Sequence, residues 1–145
     1  MIKCGGMKES LWKIIKPKKK HKMKTLKLAY SNFLVPSGYY AITLFGYLVR
    51  RKSEKDKLIS PRTWIHENIH CQQAYDFNIG FCGYFLFYLF YGLEWLLKLP
   101  FFVAGYRIYR SLSFEQEAYK NESNKEYLEQ RKRFAWVKYI FKLVK

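Results

Sequence analysis

Residues 60–76 read SPRTWIHENIHCQQAYD and hold two of the chain's three histidines as His66-Glu67-Asn68-Ile69-His70, an HExxH arrangement. Ser60 is a good N-cap, Pro61 suits the first helical position, and neither glycine nor a further proline follows before Gly80. The spacing therefore predicts a helix. On it the two imidazoles stand one turn apart on one face and can converge on one metal ion. Glu67 lies about 60° around the axis from His70, placed to act as a general base on water that the metal polarises rather than as a ligand.

Upstream, residues 33–50 (FLVPSGYYAITLFGYLVR) are rich in aromatic and β-branched side chains and are punctuated by Pro36-Ser37-Gly38 and Gly46. They predict a short β-hairpin, followed by the charged loop Arg51 to Lys57. Such a strand beside a metal helix either binds extended substrate by strand addition or is plain structure. Downstream, residues 81–99 (FCGYFLFYLFYGLEWLLKL) are the most apolar stretch, nearly as long as a bilayer's hydrocarbon layer requires. Glu94 and Lys98 are one turn apart in the order that favours mutual neutralisation, and Pro100 breaks the helix. Residues 81–106 thus read as an apolar helical hairpin, either dipping into a bilayer or packed in a core.

A further helix is expected from Ser113, which with Gln116 forms a capping box, running toward Arg131. Residues 131–145 (RKRFAWVKYIFKLVK) read as a C-terminal amphipathic helix, with Arg131, Lys138, Lys142 and Lys145 on its basic stripe. The fold class expected is α+β, mainly α. Residues 1–28 form a basic N-terminal segment, and residues 29–145 a single metallopeptidase-like domain that carries 81–106 as an insertion.

With 27 Lys and Arg against 11 Asp and Glu, the formal charge is +16, alongside 20% aromatic residues. That balance fits neither a disordered basic tail nor an ordinary cytosolic enzyme, and anionic lipid is the expected partner. Met7, Leu11, Trp12 and Ile15, followed by KPKKKHKMK, suit an interfacial anchor or a solvated tail. No base-reading motif is present, so specific nucleic-acid binding is not expected. Cys4, Cys71 and Cys82 show no CxxC spacing and read as free thiols. No secretory leader is recognisable, so a membrane-associated site facing the cytoplasm is expected.

HExxH followed by Glu115-Gln116-Glu117-Ala118-Tyr119 resembles the gluzincin pattern, in which HExxH is followed on a later helix by E-x-x-A-D, as in thermolysin-like and prenyl-protein endopeptidase metalloproteases. The whole chain also resembles a group of small bacterial membrane-associated proteins of the HExxH…FExEAY type. The resemblance implies zinc bound by His66, His70 and Glu115, with Glu67 as catalytic base. Helical geometry agrees on the choice between carboxylates. Glu115 shares its face with Ala118 and Tyr119, whereas Glu117, about 200° away, shares Lys120 and Asn121, which read as solvent-directed. Tyr119 stands where the family has an aspartate that accepts a bond from a ligating histidine. Its hydroxyl is a candidate for that task or for polarising a substrate carbonyl. Two functions are therefore expected: a membrane-associated zinc metallopeptidase acting on peptide or protein, or a non-catalytic basic membrane-binding protein with a vestigial or structural metal site.

Overall fold

The computed structural model describes residues 26–39, 41–77, 81–101 and 105–142. The expected N-terminal anchor, with Cys4 and His21, lies outside these residues. The architecture is α+β and mainly helical, a small sheet preceding the helices. The hairpin is β2 (Ala41–Leu44) and β3 (Tyr47–Arg50), antiparallel with Thr43 opposite Leu48. Its turn residues Phe45 and Gly46 both take positive φ, 48° and 81°, the twist that a two-residue hairpin turn requires. A Cβ on Gly46 would stand 2.5 Å from the Tyr84 hydroxyl, so the position is closed to side chains as well as conformationally special. Phe45 is an unusual occupant of left-handed backbone. Its amide bonds the Tyr88 hydroxyl at 3.1 Å and its ring packs edge-on against Tyr84 and Tyr88, which offsets the strain.

A third strand was not expected. β1 (Lys27–Tyr30) begins inside the stretch read as the basic N-terminal segment and pairs parallel to β3, giving the order β1-β3-β2. Four residues, KLAY, carry too little alternation to announce a strand. β2 is left at an edge of the sheet, packed beside the HExxH helix.

That helix, α1 (Pro61–Tyr75), starts as its sequence predicts: the Ser60 hydroxyl accepts the Thr63 amide at 3.0 Å, and Pro61 follows. Leu48, Trp64 and Cys71 pack it on the sheet. The apolar run forms α2 (Phe81–Lys98), then a 3-10 turn over Leu99–Phe101 and α3 (Gly105–Ser111). None of the described helices is long and apolar enough to cross a membrane. Glu94 and Lys98 do pair, at 2.6 Å, and both turn inward.

The next helix, α4 (Ser113–Asn121), departs from its predicted ends. Ser113 is its first residue rather than its cap; the Glu94 carboxylate of α2 receives the Ser113 amide at 2.8 Å and its hydroxyl at 2.7 Å. Gln116 donates to the Ser111 and Lys142 carbonyls instead of closing a capping box. After α4 comes a break and a single turn, α5 (Tyr127–Gln130), where one helix to Arg131 was expected. The C-terminal amphipathic helix is likewise replaced by a 3-10 segment over Ala135–Tyr139. Its intended basic stripe starts with Arg131, but Arg131 is drawn inward to Asp76 and Glu117, and Phe134 at φ 56° interrupts any helix. Trp136 then joins Ala74, Tyr84, Phe87 and Phe114 in the central core, locking α1, α2 and α4 together.

Candidate metal centre

α1 and α4 pack directly through Ile65, Ile69 and Ala118. The small Ala118 allows the close approach, and the contact brings Glu115 over the two histidines. His66, His70 and Glu115 are all buried and point their ligand atoms at one spot. The two Nε2 atoms are 3.2 Å apart. His66 Nε2 is 3.4 Å from Glu115 Oε2, and His70 Nε2 is 3.2 Å from Glu115 Oε1. Ligands about 2.0–2.1 Å from one ion at tetrahedral angles stand about 3.3–3.4 Å from each other, so the spacing fits such an ion.

The outer nitrogens settle the tautomers. His66 Nδ1 meets Glu122 Oε2 at 2.8 Å, and a carboxylate oxygen can only accept. His70 Nδ1 meets Gln73 Oε1 at 2.8 Å; the Gln73 amide nitrogen is committed to the Phe114 carbonyl at 2.9 Å and to Glu117 at 3.1 Å, so its oxygen faces the histidine. Both imidazoles therefore donate through Nδ1. When neutral, both aim Nε2 lone pairs at the same point, which is stable only with a cation there. Glu115 Oε2 is buried with no hydrogen-bond partner, as expected of an oxygen kept for that cation. The residues present fit a bound metal.

In the metal-free protein a proton takes that role. Burial acts to lower the pKa of His70, but Glu115 beside it more than offsets this and pushes it up to about 9. Burial acts to raise the pKa of Glu115, but His70 and the facing His66 hold it well below the usual carboxylate range. Tyr91 donates to Glu115 Oε1 at 3.0 Å. Burial, and then the charge of Glu115, raise the pKa of both Tyr91 and Tyr109, keeping these phenols protonated.

Glu67 faces the cleft next to His66 and accepts the Thr43 hydroxyl at 2.6 Å. This cleft, of about 570 Å³, is also lined by Ala41 of β2, Leu48 and Arg50 of β3, Tyr109, Tyr119 and Glu122. Glu67, His66, His70 and Glu115 are thus brought together as the sequence predicts. Tyr119 is nearby, but Glu122 is the acceptor on His66; the Tyr119 ring packs edge-on to that imidazole, centroids 4.7 Å apart, with Arg110 4.5 Å from its own centroid. Glu117 does point away from the candidate metal ligands, as expected, but it is not solvent-directed. It is fully buried, bonded by Arg131, Tyr127 and Gln73, because the chain after α5 folds back over it.

The residues missed were Glu122, Gln73, Thr43 and Tyr91. Two had a signal. Gln73 follows His70 by three residues on the same helical face, and Glu122 follows Glu115 by seven, two turns along the same face. Thr43 and Tyr91 reach the site only through tertiary packing. Cys71 packs against the sheet and is no ligand. No family model, curated protein or solved structure matches this chain.

Proposed function

We propose that this protein is a zinc-dependent hydrolase, most simply a peptidase, with zinc held by His66, His70 and Glu115. The observation that carries the reading is the unpartnered buried Oε2 of Glu115, facing two imidazoles whose outer nitrogens are both fixed as donors. Zinc suits two nitrogens and one carboxylate at this spacing, and it would supply Lewis acidity that polarises a carbonyl and makes water acidic near neutral pH. A purely structural site normally has four protein ligands, and three converge here among the described residues.

The chain's own groups do the rest. Glu67 takes the proton from the attacking water and passes it to the leaving amine, while Thr43 holds its Oε2 in place. The β2 edge beside the cleft suits an extended polypeptide, which favours a peptide substrate. Tyr88 closes the turn end of that edge by donating to the Thr43 carbonyl at 3.1 Å and accepting the Phe45 amide, so pairing is directed toward Ala41. Tyr109 and Tyr119 line the cleft beside His66 and Glu67.

Metal analysis of the purified chain beside a Glu67→Gln variant tests this, with a mixed-sequence peptide library read by mass spectrometry. About one zinc per chain is expected in both proteins. Cleavage should fall by about 10²–10⁴-fold in the variant, the usual worth of a general base. Wild-type protein without stoichiometric zinc, or equal cleavage by the variant, would overturn the proposal.

A further inference from the structure

The feature that the metal site does not use is the outward face of α2. At 100° per residue, Phe85, Leu89, Leu93 and Leu96 fall within an arc of about 80°, and each is exposed, Phe85 by 65% and Leu96 by 58%. The face continues into Leu97 and, past the helix end, Phe101, at 72% and 70%. The two charged side chains of α2, Glu94 and Lys98, lie on the opposite side, spent on Ser113 and the Ser111 carbonyl. The exposed face of an 18-residue helix is therefore free of charge, which single soluble domains rarely present.

The apolar surface does not stop at α2. Phe90 stacks on Phe77 at 5.5 Å, and Phe77 meets half-exposed Phe134 at 5.8 Å. The Arg133 guanidinium stands over the Phe134 ring at 5.3 Å, so a basic group borders the apolar surface. The occupant must suit both properties. A second copy would set one chain of charge +16 against another, whereas anionic lipid offers hydrocarbon to the face and counter-charge to its surroundings.

We infer that α2 lies in the plane of an anionic bilayer, its outward face in the boundary between headgroups and acyl chains. This rests on the peptidase reading for its consequence. The inward face of the same helix bonds Glu115 through Tyr91 and the β2 edge through Tyr88. A helix is about 10–12 Å across with its side chains, so the candidate metal centre sits about one helix diameter from the lipid. The substrates are then polypeptide segments held close to the membrane surface, such as the ends of membrane-anchored proteins.

The test is flotation of the full chain with vesicles of phosphatidylcholine containing phosphatidylglycerol, followed by a wash in about 1 M salt, where the Debye length is about 3 Å. Wild-type protein is expected to float and to stay bound through the wash. The double substitution Leu89→Glu/Leu96→Glu should cut the salt-resistant bound fraction by about tenfold or more, since two buried leucine side chains are lost to the lipid, while zinc content stays at the wild-type level. Wild-type protein that fails to float, or that salt releases, overturns the inference without needing any variant. Equal retention by the double variant overturns it too, assigning the binding to another segment such as residues 1–25. A dimer that the double variant dissociates would give the face to a second copy and likewise overturn it. Zinc content and Glu67-dependent cleavage are read separately, so the membrane inference and the peptidase reading fail independently.

Discussion

His66 and His70 present the same nitrogen to the same point, yet the groups holding their outer nitrogens differ in charge, setting and origin. His66 leans on Glu122, a carboxylate from the end of α4 that also pairs with Arg62, whose side chain is 66% exposed. His70 leans on Gln73, a neutral and fully buried amide from its own helix, bonded to the Phe114 carbonyl and Glu117. The first arrangement would strengthen its histidine as a ligand for the proposed metal. The second gives up that electronic gain for rigidity: the Gln73 amide cannot turn over without facing its oxygen to a carbonyl and a carboxylate. One candidate ligand would be tuned and the other is locked.

The largest expected effect is common to both histidines. His66→Ala and His70→Ala should each reduce bound zinc from about one per chain to none in metal analysis, because two remaining ligands hold zinc poorly. Stoichiometric metal in either variant would break the symmetry on which the comparison stands. The next effects should separate the two supports. Gln73→Leu and Glu122→Gln are each expected to weaken zinc binding about 10–100-fold in chelator competition. Only Gln73→Leu should also lower stability to urea, by about 1–3 kcal/mol, since it strips buried partners. Glu122→Gln should cost under about 1 kcal/mol, because a pair with a largely exposed arginine is worth little. Equal stability losses would erase the distinction between tuned and locked.

The last effect is one of pH. His70 in the metal-free protein has its pKa raised from 6.5 to about 9, so the folded state binds the proton more tightly than the unfolded chain. That contribution is complete below about pH 6.5 and is lost as pH rises through about 9. The urea midpoint of metal-free protein should therefore fall across this window, and saturating zinc, which displaces the proton, should abolish the fall. A midpoint that rose over the same range would reverse the assignment of the bound proton.

What could be read from the sequence was what a single helix encodes. HExxH, the Ser60 cap and the same-face placement of Glu115, Ala118 and Tyr119 all follow from one period. Glu94 was legible as a partner of Lys98, but not as the cap of α4, because the sequence does not say which helix end will lie beside it. Arg131 failed for the same reason. Its place on an amphipathic stripe was sound as periodicity, but two buried acids, Asp76 just past α1 and Glu117 in α4, draw it inward instead. Glu117 was misread as solvent-facing because its cover, the chain after α5, arrives from beyond its own helix.

Arg131 also sets the order in which the molecule can be completed. Its acceptor Asp76 lies 55 residues earlier in the chain. At about 5–20 residues per second, translation leaves roughly 3–11 s between the two. Until then Asp76 lacks that cation; α2 is completed within the interval, before Trp136 can join its core cluster. The inward face of the most apolar helix therefore waits for residues 131–136 before its core cluster is complete, while its outward face stays exposed in the finished fold.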